Sequence, residues 1–497
     1  MTLFLLAASS MSIGWGIRGQ FGHEYGAAMP GALAGIVCAL FAGRQEWRER
    51  VLFFAFFGAL GWSFGGSMSY MKVIAYTHSS GLATVAYGFA GMFLIGFLWA
   101  APGGIGLSLP AVLPRQELTR LFPPLTALFA AWYAQDLITD RWPAPELFDT
   151  DWLAAAIALA VGLAFLRRTS LILYAAAGWW LGFASLVLLL GLRLSPPRGD
   201  NWAGCVGLVA GLLVWSVRRR LLAVTAAGLV CGALGGLAFS LGQVIRLALM
   251  ATGAQTNWHS VLEQTQGFLF GLGAAAAALV LARRTPPLPP APRARRWTET
   301  FCLLSVLLLI PYLNLRKSPA DWSRYIPTMP EWIYGLPAAG WFLPSRGFLG
   351  WLELLYLSLA LAVILALRAR PALLNTPWEA RGQLLYLAFL WQIVFINSIH
   401  VIVRFTPQRI VTEWAIALHA VFASALLLCL PPHKIPPATA HPNWPPLLRR
   451  AALAALASAA IAVATGTAAR YALYGTNPAG DTREQIRFGP RNTDTVR

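Results

Sequence analysis

Of 497 residues, 57% are hydrophobic and only 12% are charged, and the mean hydropathy is +0.60. A water-soluble domain spends about a quarter of its residues on charge, so this composition excludes one and points to an all-α integral membrane protein. The net charge of +18 would also suit a nucleic-acid binder, but the arginines stand in short clusters between apolar runs. That arrangement sets membrane topology, so the expected partner is the lipid bilayer and not nucleic acid.

The first residues, MTLFLLAASSMSIGWG, have no basic region ahead of the apolar run and no cleavage-site pattern. They read as a first, short span and not as a signal peptide. Apolar stretches then recur, predicting spans at 3–17, 26–43, 51–71, 82–101, 121–139, 152–166, 171–192, 203–217, 221–249, 263–282, 298–315, 347–367, 383–403, 411–430 and 451–472. About 20 residues of helix cross roughly 30 Å of hydrocarbon. Lipid admits only helices or closed barrels, and these runs lack the alternation of barrel strands. The fold class is therefore a polytopic helical bundle of 14–15 transmembrane helices. The five cysteines, Cys38, Cys205, Cys231, Cys302 and Cys429, all sit inside apolar runs without Cys-x-x-Cys spacing and read as small buried hydrophobes.

Basic clusters fall on alternate loops: RQEWRER at 44–50, Arg115 with Arg120, Arg167-Arg168, Arg218-Arg219-Arg220, the stretch 283–296, Arg368 with Arg370 and Arg381, and Lys434 with Arg449-Arg450. The opposite loops hold acids, among them Asp136, Asp140, Glu146, Asp149 and Asp151. By the positive-inside rule the basic set and the N-terminus are cytoplasmic. The Ala-, Arg-, Gly- and Pro-rich composition suggests a bacterial inner membrane. Fifteen spans would place the polar tail 475–497 outside, against the charge of its Arg483, Arg487, Arg491 and Arg497. The basic, Pro-rich linker 283–297 divides an N-terminal bundle, 1–282, from a C-terminal one, 298–474. Within the latter, the Trp- and Pro-rich segment 316–346 is expected to lie on the outer membrane surface, where Trp rings settle.

Internal similarity suggests a duplication of 12–101 in 180–282. Gly58-Ala59-Leu60-Gly61 returns as Gly232-Ala233-Leu234-Gly235, Lys72 falls opposite Arg246, and Glu24-Tyr25-Gly26 falls opposite Asp200-Asn201-Trp202. Both copies have the same orientation in the charge-based topology, so the expected form is a parallel repeat, one of the ways transporters are duplicated.

The segment WGIRGQFGHEYG, residues 15–26, crowds four glycines with Arg18, His23 and Glu24 between the first two spans. Glycine allows unusual backbone angles and close approach, so this segment is expected as a loop folded back into the protein. Arg18 would bind solute, with His23 and Glu24 handling protons; the plainer reading is a tight loop whose Arg–Glu pair holds two helices. In the C-terminal bundle, Asn397, His400 and Arg404 share a helix face at i, i+3 and i+7. Glu413 enters the next helix from the same surface, His419 lies deeper, and Glu353 sits inside its own span. Ionisable groups within spans are costly and mark function by default; the alternative is a packing network, and a lone His419 fits that better. With Lys72, His78, His259 and Glu263 these groups map to the outer half, which suggests an outward-facing polar cavity.

The sequence has no Walker A loop, dinucleotide fingerprint, His-Glu-x-x-His or Gly-x-Ser-x-Gly. No metal and no cofactor is expected, nor ATP-driven transport by this chain alone. The leading expectation is a secondary transporter or permease for a small polar or anionic solute, proton-coupled through the residues above. The second is a membrane-embedded glycosyl- or acyl-transferase using a lipid-linked donor. There Glu24 or Glu413 would act as base, His23 or His400 as its partner, and Arg18 or Arg404 as phosphate clamp. A third is a subunit or assembly factor of a larger membrane complex, in which the polar cluster would be structural.

Overall fold

The computed structural model of this chain describes residues 1–21, 24–64, 68, 70–139, 142–143, 150–193, 200–254, 256–288, 296–315, 332–336, 341–369, 378–403, 407–430, 443–479 and 487–488. The principal helices are α1 (Thr2–Phe21), α2 (Glu24–Phe41), α3 (Val51–Ser63), α4 (Met71–Thr77), α5 (Leu82–Val112), α6 (Phe122–Thr139), α7 (Trp152–Ala164) and α8 (Leu171–Phe183). They continue as α9 (Asn201–Arg218), α10 (Leu222–Met250), α11 (Trp258–Arg284), α12 (Arg296–Leu304), α13 (Ile310–Leu315), α14 (Ser345–Ala369), α15 (Trp378–Val403), α16 (Pro407–Cys429) and α17 (Trp444–Tyr474). All fifteen predicted spans fall on helical segments. Eight of these segments, counted among the described residues, are long and apolar enough to cross a membrane. The chain is an all-α, multi-pass membrane protein.

The departures from the sequence reading have local causes. The predicted span 51–71 ends as α3 at Ser63, and the chain starts afresh as α4 at Met71. Gly65 and Gly66 interrupt the apolar run there, and glycine inside a helix costs about 1 kcal/mol relative to alanine. The expected loop at 15–26 is largely helix, with α1 running to Phe21 and α2 starting at Glu24. Of the surface segment 316–346, the described residues form a small antiparallel ladder, Trp332–Leu336 with Trp341–Pro344, and the start of α14.

By packing, the chain forms two compact units, each interleaved in sequence. The first comprises Met1–Ser63, Gln255–Ala275 and Arg295–Pro436; the second comprises Phe64–Ala254, Ala276–Ala294 and Pro437–Arg497.

In the first unit, α2 packs against α1, α3 and α15, and α16 packs against α1 and α15. Glycine sets the closest of these contacts. A Cβ at Gly35 would overlap the Phe54 carbonyl oxygen, so α2 and α3 meet backbone to backbone. Three rings, Trp15, Trp62 and Phe270, meet edge-on with centroids 6.1, 4.7 and 4.9 Å apart, a geometry that sets one ring's positive edge on another's negative face.

In the second unit, α10 packs against α5 and α17, and α8 packs against α9. The α8–α9 contact is again glycine-made: Gly178 and Gly182 of α8 face Gly207 of α9, and a Cβ at Gly207 would overlap the Gly178 carbonyl oxygen. Small residues of this kind replace the hydrophobic effect, which lipid does not supply between helices. Two long spans of this unit contrast: 72% of the apolar window of α10 is buried but only 11% of that of α17, so α17 is the more exposed of the two.

Gly207→Ala is expected to force α8 and α9 apart, because its Cβ meets backbone that cannot rotate away. The loss should be of the order of 1–3 kcal/mol, read as a lower midpoint of thermal unfolding in detergent. Exposed Ala→Leu changes on α17, where the added atoms meet no neighbouring backbone and leucine is also a good helix former, should produce a much smaller shift.

Candidate functional site

The first unit gathers its polar side chains at one end of four helices. These are the C-terminal ends of α1 and α15 and the N-terminal ends of α11 and α16, as expected for neighbours of alternating direction. From α1, Arg18 is fully buried, and its Nη2 donates to Glu263 Oε1 of α11 at 3.0 Å. Its guanidinium carbon also lies 4.6 Å from the centroid of the Trp15 ring, one turn back on the same helix. Glu263 is 3% exposed, whereas His259, one turn earlier on α11, is 36% exposed, and its Nε2 lies 3.4 Å from the same Glu263 oxygen. A titratable side chain reachable from outside thus touches a buried carboxylate, which in turn holds a buried cation.

The glycines of the 15–26 motif now have a purpose. A Cβ at Gly19 would collide with the Glu263 carboxylate, and one at Gly26 would come within 2.8 Å of Arg18 Cγ. Gly16 likewise admits Gln264, whose Cγ would be 2.7 Å from an added Cβ. Gly16, Gly19 and Gly26 let these side chains enter between helices while lying within α1 and α2 themselves.

Around the ion pair, Gln264 Nε2 donates to Ser260 Oγ at 3.1 Å and to the Thr412 carbonyl at 3.2 Å. Ser12 Oγ donates to the Gln264 carbonyl at 2.9 Å. These bonds tie α1, α11 and α16 together. On α15, buried Asn397 donates through Nδ2 to Glu413 Oε2 of α16 at 2.7 Å. Deeper in the same unit, Ser10 and Tyr386 share a hydrogen bond of 2.6 Å between α1 and α15.

Arg18, Asn397 and Glu413, all expected from the sequence, therefore lie in one unit, together with His259 and Glu263. The side chains of His23, Glu24, Glu353, His400 and Arg404 lie outside the described residues. Lys72 is at the start of α4, in the second unit and half-buried. The sequence reading offered Glu24 as the carboxylate for Arg18; the structure supplies Glu263, 245 positions away. Spacing along the chain carries no signal for such a pair.

The second unit has its own polar cluster, which closes on backbone. Arg470, fully buried in α17, donates to the carbonyls of Gly475, Asn477 and His78. Gly475, with φ +57°, ends the helix, so Arg470 caps its own C-terminus, where unbonded carbonyls collect. Tyr471 donates to the Ser80 carbonyl at 2.7 Å, and Arg246 reaches His78 Nε2 at 3.3 Å. Gln243 donates to Thr77 Oγ1 at 2.8 Å. This cluster fastens the last helix to the 77–80 turn. Among the described residues, no group of three or more His, Cys, Asp or Glu side chains is placed to hold a metal ion.

No protein-family model, curated protein or solved structure matches this chain.

Removing one partner of a buried ion pair strands the other charge, at a cost of about 3–5 kcal/mol, whereas replacing both with apolar groups of similar volume is often neutral. Arg18→Met and Glu263→Met are each expected to lower the thermal midpoint sharply. The double variant should recover most of it, in the same detergent and by the same unfolding measurement.

Proposed function

We propose that this chain is a secondary transporter for a small polar solute, with its site in the first unit around Arg18, His259, Glu263, Asn397 and Glu413. The observation that carries the reading is the Arg18–Glu263 pair, buried among apolar helices and touched by half-exposed His259. Packing alone would be served as well by apolar side chains. A carboxylate in contact with a partly exposed histidine gives a route for one proton between the surface and the buried pair. A proton on Glu263 would weaken its hold on Arg18, and with it the tie between α1 and α11. That is the kind of two-state element a coupled carrier needs.

In this reading the basic loops are cytoplasmic and the N-terminus is inside, in a bacterial inner membrane. The segments 12–101 and 180–282 are parallel copies, a form of duplication found among transporters. The Gly-rich motif 15–26 lines the site, because Gly16, Gly19 and Gly26 leave the room that Gln264, Glu263 and Arg18 fill.

The test is uptake by purified protein in proteoliposomes, with a panel of labelled polar solutes and an imposed pH gradient. At least one solute is expected to accumulate with the gradient and to stop when the gradient is collapsed. Glu263→Gln should retain exchange of solute across the membrane but lose its response to the gradient. Uptake that ignores the gradient in the unaltered protein would remove proton coupling, and failure to move any solute would remove transport.

A further inference from the structure

One polar side chain of the first unit stands apart from the networks described above. Gln266 lies on α11, three residues beyond Glu263 and four before Phe270, on the face that meets the Trp15–Trp62–Phe270 trio. It is fully buried, and neither its Oε1 nor its Nε2 has a hydrogen-bond partner among the described residues. Buried amides almost always bond at both ends, so one that bonds at neither calls for an explanation. Trp62 Nε1, in the same aromatic trio, and Asn397 Oδ1, whose amide nitrogen is already committed to Glu413, are among the other buried atoms of the unit in this state.

The charge balance narrows what these atoms suit. Arg18 is matched by Glu263, so its cation is not left over for an anionic ligand. What remains is one amide with a donor beside an acceptor, a further indole donor, and flat aromatic surface. A carboxamide pairs with a group that offers the reverse order, an N–H beside a C=O. Building on the transport reading, we propose that the solute is a small neutral molecule with an amide-type edge, a primary amide or lactam, and that Gln266 is the residue that reads it. A neutral ligand would also leave the Arg18–Glu263 pair free to respond to protons alone.

Matched probes test this: benzamide and benzoate share a ring and differ in the edge and its charge. Equilibrium binding of the two radiolabelled compounds to the purified full chain in detergent is expected to favour benzamide by about ten-fold or more. A site built to hydrogen-bond its ligand discriminates strongly against the wrong edge. Gln266→Leu should lose benzamide binding by a similar factor while its melting temperature, without probe, holds or rises, because an amide with no partner is removed. Gln266→Asn should restore part of the binding. Equal or preferred binding of benzoate, no binding of benzamide, or unchanged binding by Gln266→Leu would each overturn the assignment. So would a melting temperature lowered by several degrees in Gln266→Leu, since the amide would then be a structural element. Any of these outcomes together with gradient-driven uptake of another solute sinks only the amide assignment; absence of uptake for every solute sinks the transport reading itself.

Discussion

Inside a bilayer there is no water to hydrogen-bond a peptide group left exposed to lipid, so each N–H and C=O must be satisfied within the protein. Helices meet that demand locally, and this accounts for the way helix dominates the described chain. It also removes the ordinary reason for helices to associate, since lipid tails are as apolar as leucine. Association then depends on how closely two backbones can approach. Glycine supplies that approach at Gly35 against Phe54 in one unit and at Gly178, Gly182 and Gly207 in the other.

The same shortage of water makes polar side chains expensive, and the two units treat them differently. In the second unit, Arg470 spends its donors on the carbonyls at the end of its own helix and on His78. Its charge is thereby used where a helix terminus offers negative potential. In the first unit, Arg18 and Glu263 come from helices far apart in sequence and meet in a gap that glycines hold open. The bonds of Arg470 close on backbone carbonyls, and the titratable ring of that cluster, His78, meets the cation of Arg246 and not a carboxylate. In the first unit a carboxylate joins a buried cation to a partly exposed histidine. That difference is why the first unit, and not the second, is the candidate site.

The helical architecture was legible because hydropathy is a property of consecutive residues. A run such as 221–249 carries its own evidence, and α10 occupies Leu222–Met250. The break of the third span at Ser63 could be suspected only from two glycines, and the helical state of 15–21 could not be read at all. Four glycines in twelve residues look like a loop to any local rule. Gly16, Gly19 and Gly26 are helical here because the neighbouring helices supply the packing that propensity lacks. The candidate residues Arg18, Asn397 and Glu413 were visible as charges and amides out of place in apolar spans. Their partners were not, except where two neighbouring spans presented the same end, as for Asn397 and Glu413.

By itself, then, the amino-acid sequence determined the class of protein, where its helices run and which polar residues are out of place, because each of these depends on the free energy of moving a short segment from water into lipid. Tertiary structure alone decided that Arg18 meets Glu263, that the glycines of the first motif make room for side chains and not for a turn, and that Gln266 is buried with neither end of its amide bonded. Those facts depend on which helices lie side by side. Helix adjacency arises from shape fitting among many nearly equivalent apolar surfaces, and no local pattern of residues records it.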